Sequence, residues 1–341
     1  MELLCTEQVR LNEELDTKKN QNNGLTRYVT PSKTNLLSAV VDPTFLTDRC
    51  LENLLKSEEK FIVSCSYFKT SHITPLMRKI VAEWMMEVCE EEKCQEEVVL
   101  LALNYMDRFL NITPIKKTHL QTLAAACLLL ASKLREPSCR SLTAELLVFY
   151  TDNSVHKQDL IHWELYVLSR LKWDLSTVTP LDFLELLLIR LPIRNKKCPD
   201  ISTDKIRLHA QAFISLAAKE HYFSVYSPSA IACSSIAAAL HGLNWDLRTG
   251  IDFQFLLNRL TDLTGVEQDF VRSCMAKMEK IFEEHSRNIQ QSLELNAFET
   301  QHLKQVNEFD CRHSVTSSES LLTKVSSDLS QAYKVHVYTH E

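Results

Sequence analysis

From Leu123 to Ala131 the chain runs Leu-Ala-Ala-Ala-Cys-Leu-Leu-Leu-Ala, nine residues without a polar side chain. A helix with no polar stripe has to be enclosed by other helices. Ala124, Ala125, Ala126 and Ala131 allow neighbouring backbones to approach closely, and Leu128, Leu129 and Leu130 fill the spaces between them. The run is far shorter than the ~18 residues a membrane span requires. The stretch Leu120–Lys133 therefore reads as the hub of a helical bundle, with Lys133 as a cation at its C-terminal end.

Glycine usage supports this reading. Only 4 glycines occur in 341 residues, at 24, 242, 250 and 265. Hairpin turns, β-bulges and phosphate-cradling loops need residues tolerant of positive φ, so the chain is expected to be all-α, without a P-loop or dinucleotide site. A formal charge of −6 and lysines that come only in scattered pairs argue against nucleic-acid binding. The chain shows neither an apolar signal region nor a membrane span. Eleven cysteines, mostly inside apolar helical patterns, read as reduced thiols of the cytosol or nucleus. Cys89 and Cys94 flank an acidic run, but their spacing is not that of a zinc site and no histidine completes a set. Neither a metal nor a cofactor is expected.

Residues 1–41 are polar and weakly patterned, the composition of a flexible tail. Within them Leu3, Cys5 and Glu7 would project from one side of an extended strand, two apolar knobs and a charge suited to a groove on a partner. An L-x-C-x-E match arises by chance on the order of once per ten thousand positions. Thr30-Pro31-Ser32-Lys33 reads as a proline-directed modification site at Thr30.

Asp42-Pro43 opens a short helix to about Lys56. Thr74-Pro75 is a cap followed by proline at the first helical position, and it starts a helix whose Met77, Ile80 and Trp84 form one stripe. A helix from about Glu96 to Leu110 follows, where Asp107 needs a partner if buried; Arg78 is the candidate. After the hub come helices over Thr143–Tyr150 and His156–Leu171. The pattern then restarts at Thr179-Pro180, and Ser202 caps another helix. Ser227-Pro228 opens a second small-residue helix to His241, with Gly242 as its stop. Two further helices run from Asp252 to about Leu263 and from Glu267 to about Gln291. The expected organisation is two tandem bundles of about five helices, 42–176 and 177–291, each around an alanine-rich hub. Residues 292–341 read as a disordered Ser/Thr-rich tail.

Met77-Arg78-x-Ile80-x-x-x-Trp84, Asp107-Arg108-Phe109-Leu110, Leu128-Leu-Leu-Ala-Ser-Lys133 and Trp163-Glu164 resemble, in that order, the cyclin box. The second bundle looks like the second cyclin fold. With Leu3/Cys5/Glu7, Val88-Cys-Glu-Glu91 and Tyr150-Thr-Asp-Asn-Ser154 added, the chain resembles a D-type cyclin of the G1/S transition. The C-terminus departs from that pattern: it has no acidic run or Thr-Pro pair, and no proline follows Pro228.

The resemblance implies a non-catalytic subunit that activates a cyclin-dependent kinase, of the 4/6 class, in nucleus and cytoplasm. It places Lys133, Glu164, Leu168 and Trp173 at the kinase. Met77, Ile80, Trp84, Glu87, Leu120 and Gln121 match a docking patch for R-x-L substrates and inhibitors, and Arg78 with Asp107 a structural ion pair. Leu3, Cys5 and Glu7 match the motif that engages retinoblastoma-family pocket proteins. Competing readings are a cyclin-fold transcription factor, which would want a basic groove, and a scaffold that activates no kinase. A helical enzyme built on His119, His209, Glu145 and Glu220 lacks any spacing that sets up a nucleophile.

Overall fold

The computed structural model describes residues 47–61, 65–69, 71–193, 198 and 200–306, and beyond residue 288 chiefly the helical backbone. Leu3, Cys5, Glu7 and Thr30 lie outside the described residues. All described residues belong to one compact unit, are helical or in connections, and contain no strand.

The first bundle comprises α2 (Pro75–Glu91), α3 (Glu96–Ile112), α4 (Leu120–Arg135), α5 (Ala144–Tyr150) and α6 (Lys157–Arg170). Its hub is α4, which packs on α2, α3, α5 and α6, and every residue from Thr122 to Ser132 is buried. The serine that ends the run is satisfied: Ser132 Oγ accepts the Leu142 N–H at 2.7 Å. The second bundle comprises α7 (Pro180–Arg190), α8 (Thr203–Lys219), α9 (Pro228–Gly242), α10 (Trp245–Thr249), α11 (Phe253–Thr264) and α12 (Gln268–Val306). Its hub is α9, buried from Ala232 to Leu240, where Ser234 Oγ donates to Ala230 O at 2.7 Å and Ser235 Oγ to Ala232 O at 2.9 Å.

Side-chain caps explain several of the helix starts. Thr74, Thr143, Ser202 and Ser227 each accept the backbone N–H three residues on, and Thr179 with Asp182 forms a reciprocal capping box. Proline at the first position of α2, α7 and α9 costs nothing, because that N–H has no intrahelical partner.

The helix ends and one helix position depart from expectation. Gly242 does not stop α9; the helix includes it, and Asn244 takes the left-handed turn at φ 53° before α10. The short α10 has too few residues to show a period, yet it buries Trp245 completely and aims its indole N–H at Ile193 O, 3.4 Å away. The left-handed conformation also falls on Lys93, Asp152, Asn153, Lys172 and Trp173, so scarce glycine excluded sheets without excluding tight helix ends. α12 continues to Val306, into the stretch expected to be a disordered tail, because residues 292–306 contain neither glycine nor proline. Its 39 residues span about 58 Å at 1.5 Å per residue.

α1 (Asp48–Glu58) precedes the first bundle in sequence but packs on α7 and α9 of the second. The buried Glu58 carboxylate accepts the Ser229 N–H at 2.8 Å and its hydroxyl at 2.7 Å, satisfying the open N-terminus of α9. Burial raises the Glu58 pKa, against the opposing pull of those two bonds. Asp48 pairs with Arg190 at 3.0 Å.

Candidate protein-interaction surfaces

Arg78 on α2 and Asp107 on α3 meet in a fork, with Nη2 2.7 Å from Oδ2 and Nε 2.9 Å from Oδ1. Both residues are about 5% exposed, and the Tyr67 hydroxyl donates to the same Oδ1 at 2.7 Å. Burial opposes the charge on Arg78, but the Asp107 carboxylate outweighs it and holds the guanidinium above its usual pKa. Arg78 also reaches into the second bundle: Nη1 donates to Ala218 O and Lys219 O, each at 3.1 Å, at the end of α8. Lys79 beside it pairs with Glu220 at 2.5 Å. This pair is a mortise between the bundles and presents no contact surface.

The same helix shows its other face to solvent. Leu76 and Ile80 are 65% and 55% exposed, and Glu87 is exposed one turn beyond Trp84. Met77 and Trp84 are half-buried against the core, and the Trp84 indole N–H is fixed by Tyr150 O at 3.2 Å. Gln121 is half-buried. Leu120 is a correction to the expected patch: at 4% exposure it belongs to the core against which Met77 and Trp84 pack, on a helix that packs against α2. It supports the patch from within.

At the opposite end of α4, Lys133 Nζ lies 2.5 Å from Glu164 Oε1 of α6. The lysine side chain is half exposed while that of Glu164 is 11% exposed, so the carboxylate is held and the ammonium can swing away. Leu168 is buried, one turn along α6 and facing the core. It therefore cannot offer the apolar contact assigned to it. Trp173 can: it is 70% exposed, at φ 61°, with its N–H bonded to Leu168 O at 3.0 Å. That backbone bond closes the end of α6 and leaves the indole standing in solvent. Leu134 and Leu165, half exposed beside Lys133 and Glu164, are absent from the sequence-derived set. The available signal was an apolar residue directly following each charge.

No group of three or more His, Cys, Asp or Glu among the described residues could hold a metal ion, and no described helix is long and apolar enough to cross a membrane.

Two family models match in tandem: the cyclin N-terminal domain over residues 49–176 and the cyclin C-terminal domain over 178–311. The G1/S-specific cyclin-D2 of Rattus norvegicus is 48% identical over 246 residues, 71% of this chain and 83% of that protein. The G1/S-specific cyclin-D1 of Danio rerio is 46% identical over 258 residues, 75% of this chain and 86% of that protein. The chain belongs to the D-type, G1/S-specific cyclins. A viral cyclin from herpesvirus saimiri shares the fold at a TM-score of 0.59 and 24% identity, covering 68% of this chain and 96% of the viral one. As a cyclin, the chain is a regulatory subunit of a cyclin-dependent kinase, without catalysis of its own. The two bundles are the two cyclin folds, and the α4/α6 end and the outer face of α2 are separate exposed surfaces of the first.

Proposed function

We propose that this cyclin activates a serine/threonine kinase of the cyclin-dependent 4/6 class by docking it on the Lys133–Glu164 end of the first bundle. The observation that carries this reading is a buried carboxylate paired with a half-exposed ammonium, flanked by the exposed Leu134, Leu165 and Trp173. A docked kinase helix would supply backbone groups to both charges and apolar cover for the three side chains. Held inward, that helix sets its glutamate against the catalytic lysine and completes the kinase site.

Substrate delivery falls to two other elements in this reading. Ile80, Met77 and Trp84 would take the leucine of an R-x-L motif, with Glu87 attracting its arginine. Leu3, Cys5 and Glu7 would tether retinoblastoma-family proteins to the bound kinase, raising their effective concentration. The complex would act in nucleus and cytoplasm. Affinity purification from dividing cells, followed by identification of the bound kinase and assay on a retinoblastoma fragment, tests the proposal. Recovery of a kinase of this class with activity above the isolated kinase supports it; recovery with no activation supports a scaffold.

A further inference from the structure

The α2–α3 connection carries two cysteines that neither proposed surface uses. Cys89 lies in the last turn of α2 and is 6% exposed; Cys94 is half-buried and follows Lys93, whose φ of 53° reverses the chain. The Cys94 N–H donates to Cys89 O at 2.8 Å. This is the outer bond of a Schellman cap, a motif that brings the side chains at its two ends together. Here the residues at those two ends are both cysteines with free thiols. The neighbouring Cys89 thiol holds the Cys94 thiol below its usual pKa, against burial and the nearby Glu136 and Glu92, with Arg140 assisting. Arg140 is anchored there by a 2.8 Å bond to Lys93 O. The neighbouring Cys94 thiol and burial push Cys89 the other way.

We propose that Cys89 and Cys94 are a reversible disulfide site, with Cys94 as the peroxide-reactive thiol and Cys89 as the resolving one. The Cys94 thiolate attacks hydrogen peroxide, the O–O bond breaks, and a sulfenic acid forms as the departing hydroxide takes up one proton and leaves as water. The Cys89 sulfur then attacks the Cys94 sulfur. The S–O bond breaks, a second water leaves with the Cys89 proton, and the S–S bond closes. Two thiols lose two electrons and two protons, and one peroxide becomes two waters. A dithiol reductant reverses the step by exchange. The new bond would tie the end of α2 to Cys94, the neighbour of Gln95, whose N–H is held by Glu136 at 2.6 Å just beyond Lys133 on the α4 side.

The full-length protein is exposed to dilute hydrogen peroxide, alkylated with N-ethylmaleimide in denaturant, and digested without reduction. The expected product is a peptide carrying Cys89 and Cys94, two hydrogens lighter and unalkylated, which dithiothreitol restores. Cys89→Ser should stop at a sulfenic acid on Cys94 that dimedone traps, and Cys94→Ser should leave Cys89 fully alkylated. Full alkylation of both thiols at a dose that oxidises the exposed Cys139 would overturn the proposal. So would a Cys94–Cys139 linkage, or dimedone on Cys89.

Discussion

Replacing Asp107 with asparagine keeps its size and removes its charge from beneath Arg78. The two carboxylate oxygens now accept from Arg78 Nε and Nη2 and from the Tyr67 hydroxyl. The amide retains one acceptor and turns an NH2 toward donors, leaving a guanidinium that is 5% exposed without a counter-charge. Orphaning one member of a buried pair costs about 3–5 kcal/mol, a large share of the roughly 5–15 kcal/mol that holds a folded domain together. At roughly 2–4 °C per kcal/mol for a unit of this size, the thermal midpoint should fall by about 10 °C. Differential scanning fluorimetry and urea denaturation read the effect directly. The double variant Arg78→Met with Asp107→Leu should recover most of the loss, since apolar replacement of a buried pair is close to neutral. It should fall short by about 1–2 kcal/mol, because the Ala218 and Lys219 carbonyls lose their donor. A shift below about 1 kcal/mol for Asp107→Asn, the scale of an exposed pair, would refute the argument. A double variant weaker than the single would do the same.

Other outcomes follow from the remaining sites. Ile80→Ala should weaken binding of an R-x-L peptide about tenfold, some 1.4 kcal/mol, without altering the thermal midpoint, since its side chain is largely outside the core. It is a cleaner probe than Trp84→Ala, which would also free the Tyr150 carbonyl. Cys5→Gly with Glu7→Ala should reduce capture by a retinoblastoma-family pocket while activity on a short generic peptide stays unchanged. His241 Nδ1 lies 2.8 Å from Glu279 Oε1, and that hydrogen bond raises the histidine pKa above 6.5 despite burial. The protonated form is therefore the one the fold favours. Its stabilisation is complete below about pH 6.5 and is lost as pH rises through the raised value. Denaturation midpoints of His241→Gln should lose that decline; an unchanged pH profile would exclude the pair as its source.

The hubs were legible because burial on all sides leaves an unbroken apolar run, as at Leu123–Ala131, and because Ser227-Pro228 and Thr179-Pro180 state their caps in the letters. Helix ends were less so. Gly242 looked like a stop, but the left-handed residue is Asn244, and Lys93 and Lys172 fill the same role where no glycine is available. The place of α1 depends on Glu58 meeting Ser229, a contact across 171 residues that no local pattern announces. At the sites, the resemblance placed Ile80 and Trp173 at surfaces, while residue type and helical phase alone would have put apolar residues in the core. The resemblance could not tell that Leu120 and Leu168 face inward, because exposure there depends on which neighbouring helix covers each turn.

The kinase interface rests on Lys133 and Glu164 acting on a partner as well as on each other. With the Lys133 ammonium half exposed to solvent, the pair should contribute little more than the roughly 0–1 kcal/mol of a surface pair, so its reversal should leave the helices intact. The measurement is quantitative co-purification of the kinase with wild type, Lys133→Glu, and the swap Lys133→Glu with Glu164→Lys, each checked by circular dichroism. Both variants should fold and lose the kinase, the swap included, because a docked helix meets the charges in one order. Kinase recovery by the swap at the wild-type level would mean that the pair serves only the cyclin's own structure, and the interface would have to be sought elsewhere.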